Sequence, residues 1–155
     1  MRRGRRRRVT PLLAAIAVAS CLGLPHPAVA APEPPPLTVM VADTDTMGRI
    51  LTDLDGRTLY RFDREGDGNI ACFRSCTDTH KPLLNPPGAE LRLPPGIAGT
   101  LGTVARPDGG DQVTYDGSPL YSYTGDLQPA DTNGVDLFWH VINPENAPVP
   151  AETTG

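Results

Sequence analysis

The chain has 155 residues, of which 14 are basic and 18 acidic, for a formal net charge of −4. Six of the basic residues lie in residues 1–8 and no acid precedes Glu33, so the chain beyond residue 30 carries eight basic residues against eighteen acidic ones, a net charge of −10. A chain of this charge lacks the basic surface that displaces counterions from nucleic acid or binds anionic lipids, which argues against both as partners.

Residues 1–30 have the layout of a bacterial-type export signal. A basic segment at 1–8 precedes an uncharged apolar run, Leu12–Leu24, which is too short to span a bilayer comfortably. Ala28-Val29-Ala30 then supplies the small-x-small pattern that signal peptidase accepts. The sequence therefore predicts a signal peptide over 1–30 and a secreted protein.

Cys21 leaves a second processing route open. Val18-Ala19-Ser20-Cys21 also fits a lipobox, in which Cys21 is acylated and becomes the mature N-terminus. Val18 stands where Leu is favoured, and the apolar run continues past Cys21, so simple secretion is the favoured prediction. In the alternative, the protein is anchored to the outer face of the cell membrane through Cys21 alone.

The remainder of the chain predicts one small domain between two irregular ends. Residues 31–36 form a Pro-rich linker, which is stiff and extended. Residues 144–155 are rich in proline and small polar residues, and we predict a disordered tail. The predicted domain spans 37–143, which is long enough for one modest core.

This domain is predicted to be all-β and mainly antiparallel, because short β-branched and apolar runs alternate with Gly and Pro. Seven strands are predicted, in chain order, at Leu37–Ala42, Arg49–Leu54, Arg57–Phe62, Leu101–Ala105, Gln112–Tyr115, Ser118–Tyr123 and Leu137–Ile142. One short helical turn is expected at Ile70–Asp78, and Pro86–Gly99 is expected to be loop.

Two of the predicted connections are tight hairpins. Asp55-Gly56 lies between the second and third strands, and Asp116-Gly117 lies between the fifth and sixth. Asp-Gly is suited to the positive φ angles that a two-residue hairpin turn requires. We therefore expect each flanking pair of strands to be hydrogen-bonded.

The same Asp-Gly segments begin an internal repeat with an offset of 61 residues. Both read D-G-x-x-L-Y-x-(aromatic)-x-x-(acid), and the motif residues are Tyr60, Phe62 and Glu65 in the first copy and Tyr121, Tyr123 and Asp126 in the second. Because alternate residues of a strand share a face, the two aromatic residues of each copy point the same way. Packing in a common core is the favoured interpretation, and a ligand-stacking platform is the alternative.

The repeat resembles a bacterial family of secreted proteins and lipoproteins with a Y-x-(F/W/Y)-x-x-D motif, described as a secreted repeat of unknown function. The resemblance covers residues 48–143 and includes further positions of the family, namely Cys72, Cys76, Arg106–Gly109, Gln112–Tyr115 and Trp139. It departs from the family at His80, where a tryptophan is usual. The resemblance implies export and a duplicated fold, and it brings no known activity.

Cys72 and Cys76 are predicted to form a disulfide. Cys21 leaves with the signal peptide or is acylated, so these two are the remaining thiols, and an exported protein meets an oxidising compartment. A structural staple is the favoured role. A redox role is the alternative, although the spacing is C-x-x-x-C rather than C-x-x-C.

The acidic stretch after the first motif is a weak candidate for a metal site. Residues 63–74 begin like an EF-hand loop, but Glu65 stands at the third position and Arg74 at the twelfth, where a bidentate glutamate is needed. A looser site would draw its ligands from Asp63, Glu65, Asp67 and His80. No cofactor is predicted.

The motifs of the common hydrolases are missing from the sequence, so we do not expect an enzyme. The predicted function is an exported envelope or extracellular protein that acts as a non-catalytic binding or structural module. Its partner is an unknown envelope or extracellular component. A metal-binding or redox accessory protein is the alternative.

Overall fold

A computed structural model describes residues 32–146; the predicted signal peptide, including Cys21, and residues 147–155 lie outside the described residues. The described chain is built of short strands and holds no α-helix, which confirms the predicted all-β class. The strands are β1 Leu37–Thr38, β2 Met40–Thr44, β3 Gly48–Thr52, β4 Tyr60–Phe62, β5 His80–Pro82, β6 Leu84–Asn85, β7 Leu91–Arg92, β8 Leu101–Ala105, β9 Asp111–Tyr115, β10 Ser118–Pro119, β11 Tyr121–Tyr123 and β12 Trp139–Val141.

The strands form four small sheets. A central sheet has the order β12-β4-β11-β5, and a second four-stranded sheet joins β6, β8 and β10 to β9. β2 and β3 form an antiparallel pair, and β1 and β7 form a parallel pair. All the other pairings are antiparallel.

The duplication extends well beyond the motif. Repeat 1 (residues 40–83) contains the hairpin β2–β3 and the strands β4 and β5. The equivalent elements of repeat 2 (residues 101–142) are the hairpin β8–β9 and the strands β11 and β12. Tyr60 and Tyr121, which occupy the same motif position, lie directly opposite each other where β4 and β11 pair. Because equivalent residues pair antiparallel, a local two-fold axis relates the repeats at this point.

The last strand of each repeat pairs with a strand of the other repeat. β12 of repeat 2 pairs with β4 of repeat 1, with Trp139 opposite Phe62. β5 of repeat 1 pairs with β11 of repeat 2 in the equivalent register, with His80 opposite Tyr123. Neither repeat therefore completes its part of the central sheet from its own residues.

Backbone hydrogen bonds repeat the same exchange at the inner ends of these strands. In one ring, Leu59 N donates to Leu51 O (2.9 Å), Ile142 N to Leu59 O (3.3 Å) and Leu51 N to Ile142 O (2.9 Å). The equivalent ring consists of the backbone groups of Val113, Leu120 and Leu83, with distances of 2.8 to 2.9 Å. In each ring, two residues come from one repeat and the third from the other.

The second predicted hairpin is confirmed. β9 and β10 pair across Asp116-Gly117, whose φ angles of 47° and 80° are those of a tight I′-type turn. The predicted strand Ser118–Tyr123 is nevertheless interrupted at Leu120, which is fully buried and belongs to the backbone ring. Beyond Leu120 the chain enters the central sheet as β11.

The first predicted hairpin is confirmed in part. The chain reverses at Asp55-Gly56, and Thr52 lies opposite Thr58 between two backbone bonds of 2.9 Å, from Asp53 N to Arg57 O and from Leu59 N to Leu51 O. Along its other edge, β3 pairs with β2. The turn differs from the expected two-residue turn, because the Asp53 carboxylate accepts hydrogen bonds from the backbone N–H groups of Asp55 and Arg57, each at 2.9 Å. These bonds hold a wider loop, from which the chain leaves for the central sheet as β4.

Several predicted boundaries also move. The predicted strand Leu37–Ala42 is divided at Val39, whose N–H donates to Arg92 O, so part of the predicted loop Pro86–Gly99 forms β7. The helical turn is confirmed as a 3₁₀ turn at Arg74–Asp78. A second 3₁₀ turn, Pro144–Asn146, extends the folded part past residue 143, because Pro144 is buried and Glu145 lies 3.4 Å from Arg49.

The core has two parts. One contains buried apolar residues from both repeats, and its members are Val39, Leu51, Leu59, Val113, Tyr115, Leu120 and Ile142. The other covers one face of the central sheet and contains Tyr60, Cys72, Tyr121 and Trp139, with Phe62, Cys76, Tyr123 and Val141 packed around them. Residues of both repeats therefore share each part.

Candidate functional site

The two motif tyrosines and the two motif acids are bonded across the repeats. The Tyr60 hydroxyl donates to Asp126 Oδ2 at 2.7 Å, and the Tyr121 hydroxyl donates to Glu65 Oε1 at 3.0 Å. Both tyrosine side chains are fully buried. The acid of each motif copy thus serves the tyrosine of the other copy, a contact between residues separated by 66 and 56 positions in the chain.

Each acid also holds the loop that follows it. Glu65 Oε1 accepts hydrogen bonds from the backbone N–H groups of Ala71 (2.7 Å) and Cys72 (2.6 Å). Asp126 Oδ1 accepts one from Asn133 N (2.9 Å), and Asn133 is the position equivalent to Cys72 at the repeat offset. The acid at the motif's end is therefore the point where one loop and the opposite repeat's tyrosine meet.

A buried cation, Arg106, lies beside the bonded pair Tyr121–Glu65 and not beside the pair Tyr60–Asp126. Its side chain is 1% exposed, and it makes a bidentate pair with Asp108, at 2.7 and 2.8 Å. It also donates to Cys72 O at 3.0 Å and to Gln112 Oε1, and it lies 3.4 Å from the Tyr121 hydroxyl. Gln112 in turn donates to Leu120 O at 2.7 Å.

Four rings stack along one face of the central sheet, from both repeats in alternation. His80 and Trp139 lie at the centre, 3.7 Å apart with an interplanar angle of 4°. Phe62 stacks on Trp139 at 4.6 Å, and Tyr123 lies 5.0 Å from His80. His80 and Trp139 occupy equivalent places opposite Tyr123 and Phe62, so the histidine stands where two-fold symmetry would place a second tryptophan.

Burial shifts the acidities of these groups. It raises the pKa of Tyr60 and of Tyr121 well above the usual tyrosine value, with their carboxylate partners acting in the same direction. Burial also raises the pKa of Asp126, against the lowering effect of its hydrogen bonds from Tyr60 and Asn133. The pKa of His80 is lowered by burial, and the Asp136 carboxylate opposes this shift only in part.

The predicted disulfide is confirmed between Cys72 and Cys76, whose Cα atoms are 5.3 Å apart. Cys72 is fully buried, and its N–H and C=O are the groups held by Glu65 and Arg106. The disulfide therefore closes a small loop onto the charged network beside Tyr121. The equivalent loop of repeat 2 has Asn133 in place of Cys72 and is two residues shorter.

The four weak metal candidates do not converge. Asp63 is bonded to Arg61 (2.5 Å) and to His140 Nε2 (2.8 Å), Glu65 belongs to the buried network, and His80 belongs to the ring stack. Asp67 lies in an exposed turn with φ at 50°. Among residues 32–146, no group of three or more His, Cys, Asp or Glu side chains is arranged to hold a metal ion.

The exposed surface has a shallow cleft and a loop with two exposed leucines. The cleft, of about 410 Å³, is lined by residues 43–46 and 130–133, including Asp43, Asp45 and Asp131. The loop between β11 and β12 exposes Leu127 (81%) and Leu137 (79%) to solvent. No helix in the part of the chain that the structure describes has the length and apolar character needed to cross a membrane.

Sequence reasoning missed two contributors to this arrangement, Gly134 and Asp136. Gly134 packs so closely that a Cβ there would lie 2.7 Å from Tyr123 Cβ and 2.9 Å from Tyr60 Cζ. Its N–H also donates to the Tyr60 hydroxyl at 3.2 Å. Asp136 accepts bonds from the N–H groups of Phe138 and Trp139 and so positions the start of β12. These contacts join residues that lie far apart in the sequence, so no local pattern indicates them. The identical spacing of the residues within the two motif copies could have suggested that the copies pair with each other.

Comparison with known proteins supports the family resemblance for the second repeat. Residues 102–143 match the model of a family described as a secreted repeat of unknown function. The matched segment runs from β8 through β12, which is repeat 2 almost in full. Searches of curated proteins and of solved structures gave no match to this chain.

Proposed function

We propose that the chain is an exported, non-catalytic binding or structural module of the cell envelope or the extracellular space. The observation that supports this most directly is that the motif side chains hydrogen-bond to one another. Tyr60, Tyr121, Glu65 and Asp126 are engaged with one another across the repeats, so the motif joins the two halves of the fold. The burial of the tyrosines favours core packing over the alternative of a ligand-stacking platform.

This proposal is tested by the effect of conservative motif substitutions on stability. Glu65→Gln and Asp126→Asn keep the shape of the side chain but weaken a charge-assisted bond, so each should lower the melting temperature of the exported protein by several degrees. Asp67→Asn, at an exposed acid of the loop that follows Glu65, tests whether any nearby acid has this effect. Residues selected for a ligand or a reaction at a cost in stability behave in the opposite way, and their substitution leaves the melting temperature unchanged or raises it. That outcome for both motif acids would contradict a structural motif.

The metal-binding alternative is addressed with the same protein. Metal-stripped protein titrated with Ca²⁺, Cu²⁺ or Zn²⁺ should keep its melting temperature, since no group of three or more potential ligands converges among residues 32–146. A rise of several degrees that is lost in Asp67→Ala or His80→Ala would favour a metal-linked accessory role instead. Thiol labelling before and after reduction distinguishes the redox alternative, because a staple predicts no free thiol in the native protein.

The proposed location is extracellular, with removal of residues 1–30. The family that repeat 2 matches is described as secreted, and the basic, apolar and small-residue segments at 1–30 have the order of a signal peptide. Mass spectrometry of the mature N-terminus gives Ala31 on this proposal. A diacylated Cys21 would instead establish a lipid anchor on the outer face of the membrane.

A further inference from the structure

The contacts that complete the central sheet join residues of different repeats. β4 of repeat 1 is completed by β12, and β11 of repeat 2 is completed by β5. Both backbone rings, both tyrosine–acid bonds and the His80–Trp139 stack also join residues of different repeats. The surface that each repeat presents is therefore a binding surface for the opposite repeat.

The two halves are connected through one turn, Pro94–Ile97, whose tip at Pro95 and Gly96 is exposed. Upstream of it, β7 pairs with β1, and Val39 N donates to Arg92 O. Downstream, Ala98 O accepts the Tyr115 hydroxyl at 2.7 Å. Between these anchors lies Pro94–Ile97, a turn closed by one backbone bond of 3.2 Å, and a Cβ placed at Gly96 would contact nothing within 4 Å.

We propose that this chain also assembles with a second copy of itself by exchanging halves at the turn Pro94–Ile97. Residues 32–93 of each copy then pack against residues 98–146 of the other copy. Every contact between repeats is re-formed between chains, and only the hinge turn changes conformation, which makes exchange a low-cost route to a dimer. Adjacent prolines favour an extended connector, which suits the open form.

At low protein concentration, packing of the two halves within one chain is favoured over exchange between chains. A short linker gives the two halves of one chain an effective concentration in the millimolar range, so exchange is expected at high protein concentration or where closure is blocked. Deleting Pro94-Pro95-Gly96 removes the residues that reverse the chain. The deletion variant should elute with twice the mass of its own monomer, whereas a variant with a longer Gly/Ser connector at the same place should remain monomeric.

Pairs of cysteine variants test the geometry of the dimer in the unshortened chain, with Cys21→Ser in every chain. Arg61 lies opposite His140, and Ser122 lies opposite Lys81. A chain carrying Arg61→Cys is unfolded, refolded at high concentration with a chain carrying His140→Cys, and oxidised. A disulfide-linked heterodimer is expected, and the pair Ser122→Cys with Lys81→Cys should behave in the same way.

The matched control is Arg61→Cys with Lys81→Cys. Lys81 holds the two-fold equivalent position of His140 but lies opposite Ser122, so this pair should not be linked. Equal linking of the control, or no linked dimer from either opposite pair, would overturn the proposal. A folded, monomeric deletion variant would overturn it as well, and if that variant does not fold, the cysteine pairs decide.

Discussion

At the scale of single residues, Arg106 is a buried cation whose bonds reach three separate segments of the chain. It holds Asp108 in its own turn, the carbonyl of Cys72 beside the disulfide and the amide of Gln112 on β9. Burial alone would lower the pKa of Arg106, but its hydrogen bonds with Asp108 and Tyr121 raise it, so the guanidinium stays charged. Such a cation is costly to bury and still more costly to remove from its partners.

We expect Arg106→Met to lower the free energy of unfolding by about 3 kcal/mol, because Cys72 O and Gln112 lose a buried donor. Arg61→Met is the matched control. Arg61 also bonds an aspartate, Asp63, but its side chain is 43% exposed, so its loss should cost less than about 1 kcal/mol. Urea unfolding of the two variants gives the comparison, and equal losses would show that Arg106 acts as an ordinary surface residue.

His80 should give the protein a pH-dependent stability. Burial lowers its pKa below the usual value of 6.5, so the unfolded chain binds a proton at a pH where the folded chain does not. The free energy of unfolding should therefore fall as the pH falls below about 6.5, and His80→Phe should remove that part of the slope. His140→Phe, on the exposed face, should retain it. Melting temperatures between about pH 5 and 8 test this, and an unchanged slope in His80→Phe would contradict it.

At the scale of elements, the close approach of the β11–β12 loop to the ring layer depends on Gly134. A Cβ there would lie under 3.0 Å from atoms of Tyr60 and Tyr123, which are themselves fixed by the sheet. We expect Gly134→Ala to destabilise the fold by about 1–3 kcal/mol through overpacking. Gly66→Ala is the control, since a Cβ there meets nothing within 4 Å. Similar melting temperatures for the two variants would show that the loop simply moves away.

The Cys72–Cys76 bridge closes a short loop, so its contribution should be modest. On the chain-entropy model, a loop of this size stabilises the fold by about 2 kcal/mol. Replacing both cysteines by serine should therefore lower the free energy of unfolding by about that amount and leave the fold intact. Chemical denaturation measures the loss, and circular dichroism tests the fold. A loss of native structure would mean that the bridge also holds in place the backbone groups of Cys72 that bond to Glu65 and Arg106.

The elements show which structural information is local. The class, the Asp116-Gly117 hairpin, the 3₁₀ turn and the disulfide depend on neighbouring residues, and they could be predicted from the sequence. The pairing of β3 with β2 could not, because the Asp-Gly pattern at Asp55-Gly56 indicates the neighbour of β3 on one edge only and carries no signal for the strand on the other edge. Strand β7 was missed because a two-residue strand beside Pro94 has no periodicity of its own.

At the scale of the whole molecule, the residues of the candidate site could be predicted from the sequence, but the residue that each of them bonds to could not. The repeat identified Tyr60, Glu65, Tyr121 and Asp126 by spacing alone. That each acid would serve the other copy's tyrosine follows only from the two-fold arrangement, which places Tyr60 opposite Tyr121. The same arrangement turns two similar segments into a single folding unit, since neither repeat has a complete sheet alone.

Exchange of the last strands should make unfolding cooperative across both repeats. Leu59 is fully buried in repeat 1 and takes part in the ring with Leu51 and Ile142, so Leu59→Ala should cost about 2–5 kcal/mol. Because β12 and β5 connect the repeats, we expect the loss to appear equally in repeat 2. Hydrogen exchange at the amides of Leu51 and Val113, one from each ring, measures this directly. Equal reductions in protection support one cooperative unit, whereas a reduction at Leu51 alone would show that repeat 2 stays folded when repeat 1 opens.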